Sequence, residues 1–408
     1  MLTLGVLLCS IFIANSQEKV RKAIMVIVDG IPADMVERLN PPTFEEISQV
    51  GGYTRAFTGG ETGKYNESPT ISAVCYAHLV NGVWTHKHNI WGNGLKAPNF
   101  NYPSLFWYLK QQDPSKKIAI YSSWEDNRTK LIGEGKAEIG GMKFDFYEDG
   151  FELDTVMFPN NPKKDKFLDI DNHVAKLAAK GIRENAPDLS WVYLQYTDNV
   201  GHGFGNSPEM DKAIFQADAQ VRDIWEAVKY REENHNEEWL VYVVTDHGRD
   251  DKGYHHGGQS HRERTIWFTT NDKNLNPYFH QNTPGLVDVF PTIVNFLDIH
   301  APENYQYEWD GVPLSGEISH KLVHAQVEKE KNQLQLEWTP YDRDTSIEVL
   351  ISLTNNHKEG GKDEYISLGL VPSAQGKATF DLKNLNSEFY KVVLKSSANT
   401  SSRWVEIH

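Results

Sequence analysis

The sequence predicts an α/β chain, a doubly wound, mostly parallel sheet with helices on both faces, followed by a small C-terminal all-β sandwich. Three observations carry this. Between about residues 22 and 300, short apolar runs alternate with amphipathic helical patterns, the order that produces parallel strands joined by crossover helices. The runs are continuously apolar, as suits strands covered on both faces. After about residue 325 the helical periodicity stops, and polar residues alternate with apolar ones between turn-forming clusters, the texture of a sandwich.

In chain order, "MLTLGVLLCSIFIANSQEKVRK" comes first. Its apolar core of roughly a dozen residues is shorter than the ~20 needed to span a bilayer. With small and polar residues after it, residues 1–17 read as a signal peptide, and the mature chain as secreted without a transmembrane span. The two cysteines are Cys9 and Cys75. Loss of the leader leaves Cys75 without an intramolecular partner, so stability rests on the core or on bound metal. Asn66-Glu-Ser, Asn127-Arg-Thr and Asn399-Thr-Ser match the N-glycosylation acceptor pattern and predict a glycoprotein. The formal net charge is -15 and no basic stripe is present, which argues against a nucleic-acid groove.

"KAIMVIVDG", "KKIAIYSS", "LSWVYLQYTD" and "WLVYVVTDHG" are the predicted parallel strands. Between the last two, Met210, Ile214, Val221, Ile224, Trp225 and Val228 recur at helical spacing, and Ser207-Pro208 is a good helix start. Ligands of such sheets bind beyond the carboxyl ends of the strands. The catalytic part is placed at residues 18–324 and the sandwich at 325–408, with Trp338 and Tyr390 as its core aromatics.

The strand ends carry the chemistry. "IMVIVDG" ends in Asp29. "WVYLQYTD" ends in Asp198, with His202 a loop-turn later. "WLVYVVTDHG" ends in Asp246 and His247, and "GYHHGGQSH" follows. Any one of these has a commonplace explanation as a turn, a cap or a loop histidine. Three together bring three carboxylates to one sheet edge, where they would repel unless a cation sat among them. Mixed Asp oxygens and His nitrogens suit zinc or a similar ion, and six ligands suit two. Ser72 starts a predicted helix running to about Val80, whose N-terminus favours an anionic phosphoryl group. A metal on Ser72 would lower its hydroxyl pKa. An ordinary N-cap serine is the plain alternative, and Thr70 is the competing nucleophile. Asn93 is placed to donate its amide to a phosphoryl oxygen. Trp84, Trp91 and Tyr76 offer a stacking surface for a diester substituent, and Arg249 offers a cation for a monoester.

Together these motifs resemble the alkaline phosphatase superfamily and, within it, the type I phosphodiesterase/nucleotide pyrophosphatase-like branch, over residues 22 to 315. Ser72 with Gly82, "HKHNIWGN" with Asn93, Asp198-x-x-Gly201-His202 and Asp246-His247-Gly248 carry the resemblance. It implies one zinc held by Asp29, Asp246 and His247, with Ser72 bridging to phosphorus. A second would be held by Asp198, His202 and His256, with His255 and His261 open as alternatives. Two departures stand out. Ser72 precedes "AVCYAH" where the family has Thr before Phe-Pro-Asn-His, and the long insertion of nucleotide-cleaving members is missing before the third histidine. A sulfatase is disfavoured, because no C/S-x-P-x-R context is present and Gly30 follows Asp29. The implied function is an exported two-metal phosphohydrolase acting through a phosphoserine on a small-molecule, lipid or nucleotide phosphate ester, diesters or nucleotide-type pyrophosphates being favoured. A phosphomonoesterase and a catalytically silent adhesion protein are the alternatives. The C-terminal part resembles a fibronectin III or immunoglobulin-like module open to a surface partner.

Overall fold

The computed structural model describes residues 18–161 and 165–407; the predicted leader lies outside them. Seven strands form the main sheet: β1 (Val20–Val28), β2 (Gly52–Phe57), β3 (Ile118–Ser122), β4 (Phe146–Glu148), β5 (Leu189–Leu194), β6 (Glu237–Val244) and β7 (Thr265–Thr270). Their order is β2-β7-β6-β1-β5-β3-β4. From β6 to β4 every neighbouring pair is parallel. β7 returns antiparallel to β6, and β2 antiparallel to β7. The sequence reading missed this return, because only the single-turn helix His261–Arg264 separates β6 from β7 and no crossover pattern announces it.

Burial explains the unbroken apolar runs. In central β1, Ala23, Met25 and Ile27 join one core layer, and Ile24, Val26 and Val28 the other, as a two-residue period requires. The first layer includes the Ser72–Asn81 and Val289–Phe296 helices, the second the Lys166–Asn185 and Pro208–Asn234 helices. The Pro208–Asn234 helix starts where the sequence places it, with the Ser207 side chain accepting from the Met210 N–H.

One strand end is corrected. β5 stops at Leu194, and "YTDNVGHGF" forms a helix, Tyr196–Phe204. Asp198 and His202 therefore sit one turn apart on a helix, not on a strand tip and a loop.

Eight further strands follow: β8 (His320–Glu328), β9 (Gln333–Pro340), β10 (Ser346–Ser352), β11 (Ile366–Pro372), β12 (Lys377–Asp381), β13 (Lys391–Lys395), β14 (Thr400–Trp404) and β15 (Glu406–Ile407). They make two four-stranded sheets, β11-β10-β13-β14 and β12-β9-β8-β15. Leu334, Leu336 and Trp338 of one sheet share a core with Ile347, Val349, Val392 and Leu394 of the other, and Tyr390 joins them. The 324/325 boundary read from the sequence falls inside β8. The sandwich is tied to the α/β part by Lys391, which pairs with Glu308 and, at 2.5 Å, with Asp363. It also reaches the segment ahead of Ser72: Arg403 pairs with Glu61 at 2.5 Å and Lys64 with Glu406 at 2.7 Å.

The glycosylation expectation is corrected at all three sites. Asn66, Asn127 and Asn399 are buried. Their side-chain amides donate to Glu61 Oε1, Ser122 Oγ and the His320 carbonyl, which leaves no room for a glycan on the folded chain. Among the described residues, no helix is long and apolar enough to cross a membrane.

Candidate active site

The carboxyl edge of the sheet gathers the predicted residues. Asp29 follows β1 directly, and Asp246 and His247 come two and three residues after β6. The His247 Nε2 atom lies 3.3 Å from Asp29 Oδ1 and 3.3 Å from Asp246 Oδ2. Beside this group, Asp198, His202 and His256 form a triangle. His202 Nε2 is 3.1 Å from His256 Nε2 and 3.4 Å from Asp198 Oδ2, and His256 Nε2 is 3.6 Å from Asp198 Oδ1. The His247 and His256 rings stack with centroids 3.7 Å apart. His255 is exposed, and His261 lies beside Thr265; neither joins the group.

The donor set fits metal ions. Asp29 Oδ1 and Asp246 Oδ2 are buried without a hydrogen-bond partner, which is costly for carboxylate oxygens unless a cation meets them. Ligand atoms of Asp29, Asp246 and His247 lie within 4.8 Å of one another, as do those of Asp198, His247 and His256. The two central imidazoles are set by backbone carbonyls. His247 Nδ1 is 2.9 Å from the Gly248 carbonyl, and His256 Nδ1 is 2.8 Å from the Thr70 carbonyl. With each Nδ1 directed to a carbonyl, each Nε2 is the atom turned to the carboxylates, the usual arrangement of ligating histidines; on His247 a metal would take the place of the proton that Asp29 and Asp246 otherwise favour.

Electrostatics agree. Burial, reinforced by the Asp29 charge, pushes Asp246 well above the usual carboxylate range. Burial works against ionisation of His247, yet Asp246 and Asp29 outweigh it and lift its pKa to about 9. Burial, with the His247 charge, presses His256 down to about 4. For Asp198, burial would raise the pKa, but the His202 hydrogen bond and the Arg249 charge hold it well below the ordinary range.

Arg249 is 1% exposed. It donates to the Gly30 carbonyl at 2.9 Å and to the Asp198 carbonyl at 2.8 Å, and it also pairs with the Asp198 carboxylate. It is therefore a brace beneath the site and is not available to a monoester, contrary to the sequence expectation. The brace explains two glycines. A Cβ on Gly201 would lie 2.2 Å from the Arg249 guanidinium carbon, and one on Gly30, whose φ is +67°, would lie 2.7 Å from its Nη2. The glycine in Asp198-x-x-Gly201-His202 is required by the arginine.

Ser72 is the first helical residue, with Ile71 in the cap position, so its side chain is not spent on capping. Its Oγ lies 3.3 Å from His247 Nε2. Thr70 is committed: its hydroxyl donates to the Gly258 carbonyl and accepts from the Gly257 N–H, both at 2.9 Å. Asn93 Oδ1 accepts from the Ala73 N–H at 3.0 Å. That bond caps the helix and fixes the amide so that its Nδ2 is the group left to donate.

Ser72, Asn93, Asp29 and Asp198 line one cavity of about 350 Å³. Its remaining walls include Trp124, Glu152, Phe167, Tyr193 and Gln195, none of which the sequence reading selected. Trp124 stands two residues beyond the end of β3, so the strand-end rule would have found it. Phe167, in the first turn of the Lys166–Asn185 helix, carries no such signal. The predicted stacking surface is corrected. Trp84 is buried against Phe57 and His78, Trp91 points its indole N–H at Asn89, and Tyr76 donates its hydroxyl to Asp29. Of these three only Tyr76 borders the cavity.

Residues 23–338 match the family model of type I phosphodiesterase / nucleotide pyrophosphatase. The chain belongs to this family. It is thus a member of a phosphoester-hydrolase family that is metal-dependent, and its site holds groups suited to metal. A curated relative of this family member is GPI ethanolamine phosphate transferase 2 of Schizosaccharomyces pombe, 24% identical over 311 residues. That match covers 69% of this chain and 37% of the relative, so the chain spans little more than a third of that protein's length. Among solved structures, Ps i-CgsB shares the fold at 13% identity and a TM-score of 0.50, over 91% of this chain and 88% of that one. Murine ectonucleotide pyrophosphatase / phosphodiesterase 5 aligns at 14% identity and a TM-score of 0.48, over 70% and 96%.

Proposed function

We propose that the chain is an exported, metal-dependent phosphodiesterase with Ser72 as nucleophile. The observation that carries this is the placement of an uncapping helix-N1 serine against His247, between two sets of Asp and His ligand atoms. Asp29, Asp246 and His247 would hold one divalent ion, and Asp198, His202 and His256 the other, zinc being the ion the ligand types suit best. Bound there, the ions would supply Lewis-acid charge and lower the pKa of a coordinated hydroxyl.

The chain's own residues then divide the work. Ser72 Oγ attacks phosphorus in line; the P–O bond to the leaving alcohol breaks, that alcohol takes up the proton the serine gives up, and a phosphoserine that still carries the second ester group forms. Water attacks the phosphoserine, returning the serine hydroxyl and releasing a phosphate monoester. Asn93 Nδ2 donates to a non-bridging phosphoryl oxygen. The N-terminus of the Ser72–Asn81 helix favours the phosphoryl anion. Arg249 holds Asp198 in place and takes no part in binding the ester.

A diester is preferred over a monoester because, among the described residues, the cavity lining contains no Lys or Arg, so none of these side chains meets the extra charge of a monoester dianion. Transfer is the second reading, favoured by the phosphate transferase among the relatives: an alcohol in place of water at the second step would yield a new diester. The test is turnover of bis-p-nitrophenyl phosphate against p-nitrophenyl phosphate by zinc-loaded protein, with a chelator control. Chelator-sensitive diester preference that vanishes in Ser72→Ala, with metal content by mass spectrometry unchanged, is expected. Full activity in Ser72→Ala would sink the nucleophile assignment. Secretion and removal of residues 1–17 are tested by N-terminal sequencing of the exported protein.

A further inference from the structure

We propose that Tyr76 and Tyr193 are positioning residues that decide which ion the Asp29 set accepts, favouring zinc over manganese; this rests on the metal reading above. Both hydroxyls donate to the same carboxylate oxygen, Asp29 Oδ2, that of Tyr193 at 2.8 Å. A carboxylate oxygen has two lone pairs, and two donors fill them. Asp246 is engaged in a similar way, its Oδ1 accepting from the Gly30 N–H at 3.0 Å. Each carboxylate therefore has one oxygen occupied and one free. The free ones, Asp29 Oδ1 and Asp246 Oδ2, each lie 3.3 Å from His247 Nε2. An ion here meets two single oxygens and one imidazole nitrogen, with Ser72 Oγ 3.3 Å from that nitrogen. Such a donor set suits zinc, whose preferred shell is small and tetrahedral. Ions that gather a larger shell of oxygens draw on carboxylates able to close on them with both oxygens, and the phenols at Oδ2 prevent that.

The two phenols come from separate elements. Tyr76 stands one turn beyond Ser72 on the Ser72–Asn81 helix, and Tyr193 lies on β5 opposite Ile27 of β1. Their rings pack with centroids 5.0 Å apart. The Asp29 N–H is held by the Leu194 carbonyl at 3.1 Å, so the backbone is fixed and the rotation of the carboxylate is what the phenols govern. Tyr76 is fully buried and Tyr193 is 3% exposed, which keeps water from standing in for a missing hydroxyl. Packing alone would be met by phenylalanine at either position; what each hydroxyl adds is its bond to Asp29. Because Tyr76 rides on the helix that begins at Ser72, one element sets both the serine and the carboxylate beside it.

The test reads ion preference and needs no turnover. Metal-stripped full-length protein is titrated calorimetrically with zinc and, separately, with manganese, and each isotherm is read for its binding steps. The parent should take up zinc in two steps. In Tyr76→Phe and in Tyr193→Phe, one zinc step should weaken about tenfold or more and the other should stay as it was. Manganese at the weakened step should hold its affinity, so that the zinc-to-manganese ratio there falls by the same factor. Near-ultraviolet circular dichroism checks that each variant is folded; the two substitutions address one oxygen, so either folded variant decides. A merely structural role would weaken both ions alike. An unchanged ratio in the folded variants would therefore overturn the proposal and leave the metal reading standing. Absence of any binding step in the parent would overturn the metal reading and the proposal with it.

Discussion

The site turns on residues whose identity is set by a neighbour. Gly201 is helical and would be a poor choice there on propensity alone, yet a methyl group at that position runs into the Arg249 guanidinium. Gly201→Ala should cost about 1–3 kcal/mol through forced repacking and lower metal affinity by moving Asp198. Calorimetric melting and metal titration check both, and an unchanged melting temperature with full metal affinity would refute the brace. The spacing of Asp29, Asp198, His202, Asp246 and His247 was legible because each follows an apolar strand. The role of Arg249 was not, because only the fold shows that its side chain turns inward to Asp198. Asp171 was also invisible in the sequence. It is buried, accepts from the Ser123 hydroxyl and the Tyr196 N–H, and burial raises its pKa to about 7. A folded pKa above the unfolded value near 4 means that its stabilising contribution is full below pH 4 and is lost as pH rises through 7. The loss is on the order of 4 kcal/mol. In Asp171→Asn, Oδ1 can accept from Tyr196 while Nδ2 donates to Ser123, so urea midpoints between pH 4 and 7 should fall less steeply than in the parent. Parallel curves would show that Asp171 does not titrate there.

At the scale of elements, two helices present the chemistry, and their starts explain what the sequence revealed. The Ser72–Asn81 helix was anticipated within a residue of its end, because its helix-forming run closes at a glycine, Gly82, in the left-handed conformation. The Tyr196–Phe204 helix was missed because its capping group is not local: the Tyr196 N–H is held by Asp171, 25 residues earlier in the chain. A strand-like run leading straight into it carries no cap of its own, since Gln195 makes no side-chain capping bond. Asn93 allows the structural and chemical roles of a cap to be separated. Asn93→Asp keeps the acceptor for the Ala73 N–H but removes the donor and adds charge. It should retain the parent's melting temperature and lose about 100-fold or more in kcat. Asn93→Ala should lose activity and, with its cap, about 1 kcal/mol of stability. Equal stability losses in the two would show that the Ala73 contact is not a cap.

For the molecule as a whole, two predictions concern charge held out of water. Chelation should lower the melting temperature, because it leaves Asp29 and Asp246 facing each other with unpartnered oxygens. Zinc at 1,000 times its dissociation constant should restore about 4 kcal/mol. A melting curve indifferent to chelator and zinc would count against the metal reading. At the junction with the sandwich, Lys391, Glu308 and Asp363 have side chains no more than 3% exposed. Lys391→Met would strand two buried carboxylates and should cost about 3–5 kcal/mol, read as a shift in the denaturant midpoint. The sandwich was legible as alternation. The buried ions joining it to the rest were not, since Lys391, Glu308 and Asp363 look like surface residues until both parts are folded together.

The clamp ahead of Ser72 has a consequence in time. Glu61 and Lys64 find Arg403 and Glu406 only after 342 further residues have been made. At 5–20 residues per second that interval is roughly 20–70 s. Through it the polypeptide leading to the serine is held only from within the α/β part, by Gln259 and Arg264, and a chain stalled before residue 403 would lack the outer clamp on that segment. The segment ahead of Ser72 would thus gain its full set of contacts late in synthesis, well after the α/β part has emerged.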